Sequence, residues 1–189
     1  MGNRAVITTK AELSTEGGIG IYLHWNGGRD SVEAFLKYCE LKGYRPPSVD
    51  SQYGLAYLVG VITNYFGDGL SVGIDSLLHL DLDNGDNGVY VIDGWEIVDR
   101  EYFNGVEQSS HNLYEMLKDI NNSMPKKMQI GCDKLMESLP FTDDEEKMVD
   151  FMNLTKEEFL ESYSYLTETE YDATVKDVMK RMEEKIKGN

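Results

Sequence analysis

The run Val89-Tyr-Val-Ile-Asp-Gly-Trp-Glu-Ile-Val98 contains the clearest structural signal in the chain. Two segments rich in β-branched and aromatic residues flank Asp93-Gly94, and Asp-Gly is a favoured two-residue turn between antiparallel strands. Residues 5–9 are also β-rich and residues 19–25 alternate in polarity, which predicts a second hairpin. A further strand is predicted within residues 70–78. Together these segments predict an antiparallel sheet.

Helices are predicted where apolar residues recur three and four positions apart. The first covers residues 30–43, with a capping-box-like start at Asp30. The second covers residues 52–67 and is apolar over much of its circumference, which is typical of a central helix covered on more than one side. The third is predicted to be capped by Ser109 or Ser110.

The chain changes character after Pro125, where helical patterns continue and strand patterns stop. We therefore predict an α+β fold: residues 1–125 form a core domain, an N-terminal antiparallel sheet with packed helices, and residues 126–189 form an acidic helical C-terminal extension.

The composition restricts the class of partner. The 189 residues include 34 acidic and 18 basic side chains, which give a formal net charge of −16 and an isoelectric point near 4.5. Such a chain has no surplus of cations for nucleic-acid phosphates or anionic membranes, so we expect basic partners. The first residues lack the features of a signal peptide, and the longest apolar run, residues 55–62, is too short to span a bilayer. We expect a cytoplasmic location, and we predict that Cys39 is a buried thiol.

The negative charge is concentrated in two places. Residues 68–101 contain nine acidic side chains and only one basic one, Arg100, so this segment alone carries −8. A second, denser group lies at the predicted start of a C-terminal helix, where carboxylates also serve as caps. We predict that the partner-binding residues are Asp75, Asp81, Asp83, Asp86, Asp93, Glu96, Asp99, Glu101, Asp143, Asp144, Glu145 and Glu146.

Two motifs with alternative interpretations are better explained as structure. The run 81–88 is rich in Asp, Asn and Gly, but the ligand positions of a calcium-binding EF-hand loop do not match, which favours a turn. The run 24–30 could place His24 as an acid or base beside Asp30, yet it also has the form of a strand end, a glycine turn and a helix start. No motif for nucleophilic, metal or nucleotide chemistry occurs. We predict a protein that is not an enzyme and needs no cofactor.

Two stretches carry a resemblance to known proteins, namely Gly2-Asn-Arg-Ala-Val-Ile7 and Ile21-Tyr-Leu-His-Trp-Asn-Gly-Gly-Arg-Asp-Ser-Val-Glu-Ala-Phe-Leu-Lys-Tyr-Cys-Glu-Leu-Lys-Gly43. They resemble a family of small acidic proteins of bacteriophages and other mobile elements, and a weaker match continues to about residue 75. The resemblance implies residence in a bacterial host cell and a counter-defence role of the anti-CRISPR or antirestriction type. It transfers no catalytic residue to this chain.

Charge and resemblance together lead to a functional hypothesis. RNA-guided and restriction nucleases hold DNA in channels lined with Lys and Arg, and an acidic protein could occupy such a channel in place of DNA. We therefore expect an anti-CRISPR-like protein that binds a basic DNA-handling surface of a host nuclease. Two alternatives remain at this point: a regulatory or assembly protein of the mobile element, and a small-ligand-binding protein or enzyme that uses the turn from His24 to Asp30.

Overall fold

The computed structural model describes residues 2–67, 71–107, 113–131, 134–135 and 176. Its centre is a single five-stranded sheet in the order β3-β2-β1-β4-β5. The strands are β1 (Ala5–Thr9), β2 (Ile19–Leu23), β3 (Val72–Ser76), β4 (Val89–Asp93) and β5 (Glu96–Glu101).

The sheet is mixed, which corrects the prediction of a wholly antiparallel sheet. The β1–β2, β2–β3 and β4–β5 pairs are antiparallel, and the predicted hairpin at Asp93-Gly94 is confirmed. The central pair, β1 and β4, is parallel, with Val6 opposite Val89 and Thr9 opposite Ile92. A hairpin can be recognised from a short stretch of sequence, because its turn motif lies between the two strands. The β1–β4 pair joins residues more than eighty positions apart, and no turn motif predicts it.

Helices accompany the sheet in the order that the apolar spacing predicts, which confirms the α+β class. A short helix absent from the prediction, α1 (Lys10–Leu13), follows β1 directly and is capped by the Thr9 hydroxyl. The longer helices are α2 (Arg29–Leu41), α3 (Ser51–Phe66) and α4 (Leu113–Ser123). Residues Ser109 and Ser110, predicted to cap the last of these, lie outside the described residues.

The start of α2 differs from the predicted capping box. Gly28 is the N-cap residue and makes no side-chain cap hydrogen bond. Asp30 lies one residue inside the helix, where its carboxylate accepts a hydrogen bond from the backbone N–H of Ser31. A carboxylate in the first turn is still favoured by the helix dipole. The turn before the helix needs glycine, because a Cβ at Gly27 would lie 2.6 Å from the carbonyl oxygen of Asn3.

The core lies between the sheet and the longer helices. Every residue of β1 and the first four residues of β4 are buried, so the parallel pair is covered on both faces. From α2 the buried set includes Phe35, Tyr38 and Cys39, which confirms the buried thiol. The hydroxyl of Tyr38 donates to the side-chain oxygen of Asn121 on α4 at 3.0 Å and links two helices inside the core.

Helix α3 is less enclosed than its composition predicts. Leu58 and Ile62 of the predicted apolar stripe are fully buried, and so is Val61, which lies outside that stripe. Tyr53 and Tyr57, however, are exposed by 56% and 37%. The prediction of a central helix covered on more than one side is therefore wrong for the first half of α3, where the aromatic rings face solvent.

The connection between β3 and β4, residues 77–88, crosses one face of the sheet. It must do so because β2 and β1 lie between the two strands that it joins. Its leucines pack directly on the sheet at Gly20, where a Cβ would lie 2.7 Å from Cδ1 of Leu80 and 2.8 Å from Cδ2 of Leu77. We call this side of the sheet the crossover face. Helix α2 lies on the opposite side, since the charges of Arg29 and Asp30 act on Tyr90, which shares its face with Ile7.

The chain divides by its backbone contacts into two compact units, Met1–Met124 and Pro125–Asn189. In the second unit the described residues include a 3₁₀ helix, Lys126–Met128. The predicted acidic helical extension, residues 126–189, falls mostly outside the described residues and stays a prediction. Among the described residues, no helix is both long enough and apolar enough to cross a membrane.

Truncation of the α3 stripe tests the core assignment. Because Leu58 and Ile62 are fully buried, Leu58→Ala and Ile62→Ala should each lower the free energy of unfolding by about 2–5 kcal/mol, measured by urea denaturation. The exposed Gln52 is the control, and Gln52→Ala should change the value by less than about 0.5 kcal/mol. A loss below about 0.5 kcal/mol at both buried positions would contradict the assignment.

Candidate functional site

Eight of the twelve predicted partner-binding acids lie within the described residues. The other four, Asp143, Asp144, Glu145 and Glu146, lie outside them. The eight separate into two groups by position in the fold. Most belong to the crossover face, and Asp93 and Glu96 flank the turn of the β4–β5 hairpin.

Strand register shows which carboxylates share the crossover face. Directly opposed residues of neighbouring strands lie on the same face of a sheet. Asp75 pairs with Gly20, on which the crossover packs, and Asp99 and Glu101 pair with Val91 and Val89 on the other edge. The crossover itself adds three further acids. The crossover-face acids are therefore Asp75, Asp81, Asp83, Asp86, Asp99 and Glu101.

The crossover is attached to the sheet through Arg4, just before β1. One carboxylate oxygen of Asp86 accepts from Nε of Arg4 at 2.7 Å and from the Arg4 backbone N–H at 3.1 Å. Asp81 lies 3.9 Å from the same guanidinium. Hydrogen bonding from the Arg4 side chain lowers the pKa of Asp86 below its ordinary value of 3.8, against the opposing effect of partial burial. Asp86 is thus mainly a structural residue.

The crossover loop is organised by Asn84, which is buried. Its amide nitrogen donates to the carbonyl oxygens of Asp81 and Gly88, and its side-chain oxygen accepts from the backbone N–H groups of Asp86, Asn87 and Gly88. This arrangement confirms the predicted turn in residues 81–88. In the described part of the chain, no group of three or more His, Cys, Asp or Glu residues could hold a metal ion.

Asp75, at the β3 edge, also has local partners. Its carboxylate accepts from the backbone N–H of Ser76 at 2.6 Å and lies 3.1 Å from Nδ1 of His79. These two contacts, the backbone one foremost, lower the pKa of Asp75 below its ordinary value. Asp75 remains exposed, so its charge still faces solvent.

Three acids of the crossover face differ from Asp75, Asp81 and Asp86, because no ion pair to them occurs among the described residues. They are Asp83, Asp99 and Glu101. All three are exposed. Asp99 accepts a hydrogen bond from the backbone N–H of Arg100, which leaves its formal charge uncompensated. These three carboxylates are the ones most available to an external cation.

Arg100, the single base of the acidic segment, is internal. Its side chain is 10% exposed and its guanidinium lies between the rings of Tyr90 and Phe103, 4.2 and 3.6 Å from their centroids. It donates to the backbone and side-chain oxygens of Asn87 and pairs with Glu107. Its charge therefore does little to offset the crossover face.

The contacts of residues 24–30 are those of a turn between a strand and a helix. Asn26 has a left-handed backbone with φ of 53°, and Gly27 packs against Asn3 without room for a side chain. Nδ1 of His24 lies 3.3 Å from the hydroxyl of Tyr22, and its ring meets Trp25 edge-on. Arg29, the first residue of α2, is paired with Glu33 at 2.7 Å. The motif joins the end of β2 to α2.

The charge density of the crossover face limits what it can imitate. From β3 to β5 the sheet measures about 19 Å, four strand spacings of roughly 4.8 Å. Duplex DNA of that length carries roughly eleven phosphates. Six carboxylates and the guanidinium of Arg4 leave a charge of −5 with His79 neutral. The face is thus suited to attracting a basic surface and is too sparse to replace a duplex phosphate for phosphate.

Comparison with known proteins adds no further restraint on function. No family model, curated protein or solved structure matches the chain.

The Arg4–Asp86 pair makes stability depend on pH in a defined direction. Because the folded-state pKa of Asp86 is depressed, ionised Asp86 stabilises the native state above about pH 3.8, and this contribution is lost as the pH falls through the folded pKa. Asp86→Asn should lower the free energy of unfolding at pH 7, and the difference from the native protein should shrink below pH 3.8.

Asp83→Asn is the matched control for this titration, because Asp83 is an exposed acid of the same loop. It should change stability little at any pH. Denaturant midpoints measured from pH 2.5 to pH 7 distinguish the cases. A loss for Asp86→Asn that is constant across this range would show that the ion pair is not its source.

Proposed function

We propose that this protein is a counter-defence protein of a mobile element, anti-CRISPR-like in its action, that binds a basic DNA-handling surface of a host nuclease and blocks DNA engagement. The supporting observation is the crossover face. Its six carboxylates and Arg4 together carry a charge of −5, and three of these carboxylates, Asp83, Asp99 and Glu101, are exposed and have no ion pair among the described residues. Arg100 is mostly buried and is paired with Glu107. The basic partner and the mobile-element context both remain parts of the proposal.

Electrostatics favours a partner lined with Lys and Arg. Channels that hold DNA carry a strong positive potential, which accelerates the arrival of an acidic protein. The attraction extends about 10 Å at 0.1 M salt, and this distance shortens as the salt concentration rises. Inhibition by this route should therefore weaken as salt rises.

The crossover-face acids are also held in place before binding. Asp99 and Glu101 stand on a paired strand, and Asp83 belongs to the loop that Asn84 organises. Little conformational entropy is lost when groups of this kind meet a rigid partner. With about half the charge density of a duplex, the face would steer encounter and then exclude DNA by its bulk.

Inhibition assays at several salt concentrations test the proposal. Purified protein should reduce both DNA binding and cleavage by an RNA-guided or restriction nuclease, and it should compete with DNA more strongly at low salt. A panel of such nucleases is required, because the target class alone is proposed. No inhibition across the panel, together with no basic protein recovered from host lysate, would refute the proposal.

Charge reversal on the crossover face tests which surface acts. Asp83→Lys combined with Asp99→Lys should slow association with the nuclease by on the order of tenfold at low salt and alter dissociation less. Glu33→Lys combined with Glu40→Lys makes the same change in net charge on α2, across the sheet, and should have a much smaller effect. Equal effects of the two double variants would mean that net charge alone acts. The Asp143–Glu146 cluster is best reversed separately, with a stability control.

A further inference from the structure

A second surface, distinct from the crossover face, is formed by aromatic rings at the junction of α2 and α3. Tyr44 and Tyr57 stack with their centroids 4.4 Å apart and their planes 6° from parallel. Tyr53 lies 6.5 Å from Tyr57, tilted by 40°. We call these three residues the tyrosine surface. Tyr53 and Tyr57 leave much of their rings in solvent although they belong to a helix whose other side is core.

One carboxylate lies at this surface, and two more belong to a hairpin that is attached beside it. Asp50 is the N-cap residue of α3, and its carboxylate accepts a hydrogen bond from the backbone N–H of Tyr53. The β4–β5 hairpin is fastened beside Tyr44, because the indole N–H of Trp95 donates to the Tyr44 carbonyl oxygen at 3.2 Å. That contact brings the exposed acids of the hairpin turn, Asp93 and Glu96, to the same region. Aromatic faces next to carboxylates are favourable for cations that can stack.

The chain itself places a guanidinium on this surface. The Cζ atom of Arg45 lies 5.4 Å from the centroid of Tyr53, and its Nη1 donates to Asp50 at 3.0 Å. Arg45 is exposed, so this contact is made at the surface and not in the core. The chain's own arginine thus occupies Tyr53 and Asp50, and it shows the contact, stacking together with charge, that a partner arginine would make on displacing it.

We propose that the tyrosine surface binds arginine side chains of a basic protein partner, with the guanidinium stacked on Tyr53 and Tyr57 and paired with the hairpin acids Asp93 and Glu96. Arginine is selected over lysine because a planar guanidinium stacks on a ring while it pairs with a carboxylate, whereas an ammonium is a compact, strongly hydrated charge. Tyrosine and arginine are also enriched among the residues that dominate protein interfaces. The inference rests on the proposed function for the basic character of the partner and adds a second contact that distinguishes arginine from lysine.

Binding of two short Gly/Ser peptides tests the inference, one carrying several arginines and the other lysines at the same positions. The arginine peptide should bind more tightly, by about two- to fivefold for each ring that it contacts. Tyr53→Ala should remove most of this preference, and Tyr53→Phe should keep it. Tyr102, which is also 56% exposed, provides the matched control, and Tyr102→Ala should leave the preference intact.

Equal binding of the two peptides, or an arginine preference that survives Tyr53→Ala, would overturn the inference. Sedimentation provides another test: if the native protein is a dimer and the Tyr53→Ala variant is a monomer, the inference is overturned, because the surface then binds a second copy of the chain. Thermal denaturation establishes whether Tyr53→Ala is folded. If it is not, Tyr53→Leu keeps the test decisive, because it retains an apolar side chain without an aromatic face and should also lose the preference. An arginine preference without nuclease inhibition would reject the proposed function alone, and inhibition without the preference would reject this inference alone.

Discussion

The parallel pairing of β1 with β4 is the constraint on which the rest of the molecule depends. It places β1 at the centre of the sheet, between β2 and β4, and leaves β3 and β5 at opposite edges. The chain that leaves β3 must then cross two strands before it can enter β4. The crossover, its leucines against Gly20 and the Arg4–Asp86 pair all follow from this requirement. At the entry to β4 the backbone approaches β5 so closely that a Cβ on Gly88 would lie 2.3 Å from the carbonyl oxygen of Glu101.

This topology also determines how the acidic residues are used. Acids that are near one another in sequence separate into internal and external roles. The carboxylate of Asp86 is hydrogen-bonded to Arg4 and mainly holds the crossover against the start of β1. Asp99 and Glu101 follow Asp83 by sixteen and eighteen residues along the chain, yet the fold places all three on one face. Asp83, Asp99 and Glu101 have no ion pair among the described residues, so their charges face solvent.

The two proposed contact surfaces have different physical bases. The crossover face is proposed to act through long-range charge, which governs the rate of encounter and is sensitive to salt. The tyrosine surface is proposed to act at contact, through rings and a nearby carboxylate, and so to distinguish arginine from lysine. The β4–β5 hairpin belongs to both, since its strands bear Asp99 and its turn stands beside Tyr44. A partner that used both surfaces would gain speed from one and selectivity from the other.

Local sequence patterns were sufficient for most of the secondary structure. The hairpin at Asp93-Gly94, the helices over residues 29–41 and 51–66, the strand in residues 70–78 and the turn at Asn84 are each predicted by signals within a few residues. Burial of Cys39 followed from the same periodicity. The acidic segment at residues 68–101 was also recognisable, because charge counts need no geometry, but strand register decided which of its acids share one face.

Only the tertiary structure decided which distant residues meet. Sequence spacing gives no sign of the parallel β1–β4 pair or of the pairing of Arg4 with Asp86. It also gives no sign that Arg100 lies between Tyr90 and Phe103 and contacts Asn87. The exposure of Tyr53 and Tyr57 was missed for the same reason, because an apolar pattern shows that a ring can be buried and not whether a neighbour arrives to cover it. Local preference determined the helices and strands of this protein, and long-range packing determined which charges and rings remain exposed to solvent.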